Sequence, residues 1–141
     1  MKILAPISVG ELIDKITILE IKQLNARTDQ QRANIDHELE LLTEILNSLS
    51  LPESVQELRL NLRGINQALW YIEEYKRECE KADSFEAGFI TAARQVYLKN
   101  DQRAAIKRSI NELCGSDIIE EKIYWELLRS SIDFAMLVNV F

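Results

Sequence analysis

Residues 89–114 read FITAARQVYLKNDQRAAIKRSINELC. They constrain the fold more than any other stretch. At 3.6 residues per turn, Phe89, Ala93, Val96 and Cys114 fall on one apolar stripe. Asn100, Arg103 and Lys107 fall on that same stripe. Burying an unpartnered guanidinium or ammonium costs several kcal/mol or more, so one plain helix packed by this face is an incomplete drawing. Two resolutions are open and compatible. The helix breaks at Asn100-Asp101, where either residue can cap a new helix from about Gln102 with its own stripe of Ile106, Ile110 and Leu113. Alternatively, Arg94, Asn100, Asp101, Arg103 and Lys107 face an internal polar site.

The rest of the chain reads as further helices. Four Gly and two Pro in 141 residues are too few for the many turns of an all-β domain. Met1 to Ile7 is apolar and extended, since the residue before Pro6 is pushed away from helix. Ser8-Val-Gly-Glu11 is a capping box that opens a helix to about Ala26. Leu12, Ile13, Ile16 and Leu24 share one face of it, and Ile18 and Ile21 another, the mark of a central helix. Glu20 interrupts the main face, either as a boundary residue or as an inward carboxylate for a base between 94 and 107. Thr28 caps a second helix to about Leu49, with Ile35, Leu39, Leu42, Leu46 and Leu49 aligned and His37 turned to solvent.

Ser50 and Pro52 start a third helix that runs to about Lys81. Its core stripe is Leu58, Leu62, Ile65, Leu69 and Ile72. Beside it runs Asn66, Trp70, Glu73 and Arg77, which is either an amphipathic boundary with a Glu73-Arg77 pair or one wall of a polar pocket. Gly115 ends the helix of residues 102–113. Ser116 or Asp117 then caps a last helix, with Glu120 in its first turn and Lys122 and Tyr124 following. Residues 132–141 are an apolar C-terminal extension that folds back over the core or docks on another subunit. The expectation is an all-α, single-domain antiparallel bundle of about five main helices over residues 1–141.

Charge narrows the function classes. The net charge of −6 disfavours a general nucleic-acid binder. Six acidic residues and no Lys or Arg lie between Ala33 and Leu58, whereas five bases and one acid lie between Ala92 and Asn111. No apolar run approaches the ~18–20 residues of a membrane span. The Met-Lys start lacks a signal-peptide pattern, which points to the cytoplasm. Cys79, Cys114 and a single His give no support to a zinc site or a disulfide framework. No metal or other cofactor is expected.

Catalytic patterns are sparse. Glu11-Leu-Ile-Asp14 fits half of the paired acidic motif of all-helical, Mg²⁺-dependent nucleotide pyrophosphatases, but no Glu-x-x-Glu answers it on a neighbouring helix. A chorismate-type mutase would share the theme of internal bases but not the motif order. No Gly-rich phosphate loop and no paired nucleophile and base stand out.

Four pieces carry a resemblance: APISVGELIDKITILEIK, INQALWYIEE, the run from FITAARQVY to NDQRAAIKRSIN, and GSDIIEEKIY. In order and spacing, over roughly residues 3–124, they resemble an uncharacterised bacterial family of domains of unknown function. Its members look like short stand-alone proteins, or domains attached to repeat or glycosyltransferase-like proteins in surface-polysaccharide settings. The resemblance implies that context and no catalytic residue.

Two functions follow as expectations. One is an interaction or scaffold domain, in which the polar cluster is a buried network and the apolar tail binds another protein or a second copy. The other is a binding domain or enzyme for a small anion, such as a phosphate, sugar nucleotide or acidic sugar. There Arg94, Arg103 and Lys107 would hold the anion, with Asn66, Trp70 and Glu73 opposite, and Glu20, Asn100, Asp101, Lys122 and Tyr124 complete the candidate set.

Overall fold

The computed structural model describes residues 1–123. It contains four helices and, among those residues, no strand: α1 (Val9–Asn25), α2 (Asp29–Asn47), α3 (Val55–Lys81) and α4 (Ala87–Cys114). The expected start signals act at the first two. The Glu11 amide donates to Ser8 Oγ at 3.1 Å, and the Gln31 amide to Thr28 Oγ1 at 3.1 Å. Each meets one of the amides a helix start leaves unpaired. The third helix starts later than Ser50 and Pro52 suggest. Val55 donates to the Pro52 carbonyl and Gln56 to that of Glu53, so the segment turns tightly before α3 begins.

The fourth helix differs most from expectation. It runs unbroken for 28 residues through Asn100 and Asp101. The Asn100 amide group does not cap a new helix but donates back to the Val96 carbonyl at 3.0 Å, a bond available inside a helix. Termination occurs where Gly115 predicts it. Its φ of 60° is left-handed, and its amide reaches the Glu112 carbonyl. No helix follows at once: residues 116–123 are irregular, so the expected first turn around Glu120 does not form.

α1 is central, packing on α2, α3 and α4. Its Leu12, Ile13 and Ile16 are buried with Leu46 of α2, Val55 and Leu62 of α3, and Ile110 of α4. Leu24, expected on the same face, is exposed. Leu39 and Leu42 of α2 and Leu58 and Ile106 pack round this cluster. α1 and α4 approach closely at Gly10. A Cβ there would meet the Lys107 carbonyl at 2.6 Å, so only hydrogen fits. The Gly10 amide donates to Asn111 Oδ1, also at 2.6 Å. No described helix is long and apolar enough to cross a membrane.

Candidate functional site

The continuous α4 carries Arg103 and Lys107 inward, and each meets carboxylates of α1. Asp14 is fully buried. The Arg103 fork grips both its oxygens, with Nε on Oδ1 at 2.9 Å and Nη2 on Oδ2. From α3, Asn66 Nδ2 donates to Asp14 Oδ1 at 2.8 Å and to Thr17 Oγ1 at 2.9 Å. The Thr17 hydroxyl donates to the Asp14 carbonyl at 2.8 Å. Asp14 therefore ties three helices together at one carboxylate. Its hydrogen bonds to Arg103 hold that guanidinium above its ordinary pKa, against the opposing effect of burial.

One turn along α4, Lys107 is buried except for about 7% of its surface. Burial alone would depress its pKa. Hydrogen bonds from Nζ to Glu11 Oε2 and Glu120 Oε2, each 2.6 Å, outweigh burial and raise it. Glu120 is pulled down to about 2, first by Lys107 and then by Lys122. Arg108 pairs with Glu121 at 3.1 Å. The segment after Gly115 thus doubles back along α4 and is fastened by ion pairs instead of helical hydrogen bonds. Every buried side-chain N and O atom among the described residues has a hydrogen-bond partner.

The other expected residues are dispersed. Glu20 does turn to a cation, but to α3 and not to α4: it accepts from Arg59 at 2.6 Å and from Arg63 at 3.2 Å. Arg94 and Asp101 are exposed, and Arg94 makes no ion pair among the described residues. Glu73 pairs with Lys76 at 3.2 Å, not with Arg77. Lys122 pairs with Glu120. Tyr124 and the tail 132–141 lie outside the described residues. The expected convergence of Glu20, Arg94, Arg103 and Lys107 at one place does not occur. Arg103 and Lys107 share a seam, Glu20 belongs to a separate cluster, and Arg94 to neither.

Glu11 and Asp14 were absent from the expected set, although they carry the negative half of the seam. The Glu11 side chain serves Lys107, so the sequence box Ser8–Glu11 is used in one direction only. Asp14 had a signal: it stands between Ile13 and Ile16 on a helix that is apolar on more than one side. Both carboxylates are engaged by cations, Glu11 by Lys107 and Asp14 by Arg103. No cluster of potential metal ligands occurs among the described residues.

Beside the Asp14 junction opens a groove of about 1000 Å³. One wall is the Asn66, Trp70, Glu73 and Arg77 stripe of α3. The other is the second half of α1 with Ile18, Ile21 and Lys22, and Gln31 and Ile35 of α2 close it. Arg103 reaches its edge. Ile18, Ile35, Leu69 and Trp70 give the lining an apolar strip, and charges of both signs, from Lys22 and Arg77 to Glu74 and Glu78, share the lining with it.

Searches among curated proteins and among solved structures return no match for the chain. A family model does match it, over residues 1–133. Four linked features, the Ser8 cap, Asp14, Asn66 and Arg103, fall within that span, and the chain belongs to the family of unknown function DUF6165.

Proposed function

We propose that this chain is a helical interaction module, a one-domain antiparallel bundle that takes up a polypeptide segment in the groove between α1, α2 and α3. The observation that carries this reading is the groove's make-up: an apolar strip of Ile18, Ile35, Leu69 and Trp70 within a lining that also carries charges of both signs. That composition suits an amphipathic segment laid into a groove, with charged residues at the rim. The buried junction supports it in a second way. Arg103 is committed to Asp14 through two hydrogen bonds, so it serves to hold α1 against α4 and α3. The resemblance to domains beside glycosyltransferase-like proteins suggests a cytoplasmic partner in surface-polysaccharide assembly.

A second reading rests on one observation. The Arg103 side chain keeps 28% of its surface exposed and borders the groove near Trp70. A small anion could share its remaining donors.

Native mass spectrometry of the full chain, gently purified from cells that express it naturally, tests both. The interaction reading expects a bound polypeptide that is lost with Trp70→Ala. A bound small anion that survives Trp70→Ala and disappears with Arg103→Lys favours the second reading. A bare chain under all conditions overturns both.

A further inference from the structure

The groove lies close to where the chain's own residues 120 and 121 are held against α4. After Gly115 the backbone turns back along α4. By Glu120 and Glu121 the chain has come back beside Lys107 and Arg108, about two turns short of the end of that helix. Arg103, one turn beyond Lys107, borders the groove. The residues that come next, 124–141, read YWELLRSSIDFAMLVNVF, with Glu126, Arg129 and Asp133 the only charged side chains. From Asn66 at the junction to Lys81 at its far end, α3 runs along the groove for about 22 Å at 1.5 Å per residue. The eighteen residues 124–141 would cover about 27 Å as a helix, and more if extended. Reach, starting point and apolar character agree.

From these observations we infer that the groove between α1, α2 and α3 is the docking site of the chain's own residues 124–141. The inference rests on the interaction reading above and names the groove's resident occupant. Tethering favours that occupant over a free partner. A segment joined by a short linker competes at an effective concentration in the millimolar range. A partner at micromolar concentration therefore faces a handicap of roughly a thousandfold and must bind correspondingly tighter to displace it. The alternative occupant, the tail of a second copy, would make the same contacts between molecules.

Nuclear Overhauser spectroscopy on the full chain separates these cases. The expected result is a set of cross-peaks from Trp125 and Phe134 ring protons to methyl groups of Ile21, Ile35 and Leu69. They should be absent from the isotope-filtered spectrum of an equal mixture of labelled and unlabelled chains. The Ile21 and Ile35 methyl resonances should also shift when the tail carries Leu128→Asp with Ile132→Asp. Cross-peaks in the filtered spectrum would overturn docking within one chain in favour of a second copy. Absent cross-peaks, or methyl resonances unmoved by the double substitution, would overturn tail docking altogether. If tail docking fails but a polypeptide is still captured through Trp70, the interaction module stands without the tail as occupant. If the cross-peaks appear and no partner is ever captured, the groove is the tail's seat and the interaction module falls.

Discussion

Asp14 is a carboxylate with no contact with solvent, and two residues, Arg103 and Asn66, divide its hydrogen-bonding capacity. Breaking a buried pair on one side leaves the other charge stranded, at a cost of about 3–5 kcal/mol. Arg103→Met should therefore lower the unfolding free energy by about that much in urea titration. A purely ligand-directed Arg103 would leave it nearly unchanged. Gly10→Ala tests the neighbouring contact. The added methyl meets the Lys107 carbonyl at 2.6 Å, and that atom belongs to helix backbone, which cannot swing aside. A loss of about 1–3 kcal/mol is expected from such overpacking, readable as a fall in the urea midpoint. The pairing itself was only half legible. Periodicity put Arg103 and Lys107 on the apolar stripe of a continuous helix, where they need partners. It could not say which partners, because Asp14 and Arg103 are 89 positions apart and their meeting is decided by how two helices cross. Glu20 shows the same limit: its inward lean was readable, but its choice of Arg59 and Arg63 depended on where α3 lies.

The helices show where local signals suffice. Ser8, Thr28 and Gly115 act through bonds to residues three or four positions away, so their effect can be read from the chain alone. Asn100-Asp101 looks like a break by the same local rules, yet α4 runs through it. The Asp14–Arg103 pair rewards keeping Arg103 and Lys107 on one continuous face, and this outweighs two residues of poor helix propensity, worth a few tenths of a kcal/mol each. Asn100→Ala should then hold or slightly raise the thermal midpoint, since Ala is the better interior residue. If Asn100 capped a second helix, the same change would cost about 1 kcal/mol.

The segment 116–123 gives a pH prediction. The Glu120 pKa is depressed to about 2 in the folded chain, from an ordinary value near 4.5. Its contribution is thus fully present above about pH 4.5 and is lost as pH falls towards 2. Glu120 keeps 39% of its side-chain surface exposed, so the contribution is discounted to about 1 kcal/mol. NMR titration should show the Glu120 carboxyl protonating well below the ordinary glutamate range. With Lys107→Met, its titration should move up towards the ordinary range.

At the scale of the whole molecule, the parts link through one seam. α1 sits in the middle, and its charged residues fix it against α4 at Glu11 and Asp14 and against α3 at Asp14 and Glu20. The groove exists because α1 and α3, joined at the Asp14–Asn66 contact, leave space between Ile21 and Trp70. The stripe Asn66, Trp70, Glu73, Arg77 was readable as a candidate wall because it lies on one helix. The facing residues Ile18, Ile21 and Ile35 were readable only as apolar positions, since nothing local distinguishes a groove lining from a core.

The central claim is that the Asp14–Arg103 contact sets how these helices pack, and a double-mutant cycle tests it most directly. Urea unfolding of the full chain would compare the wild type with Asp14→Leu, Arg103→Met and the double variant. The account predicts a loss of about 3–5 kcal/mol for each single change. The double variant should lose less than the two singles together, by about 2 kcal/mol or more. Small single losses, or losses that simply add, would contradict it.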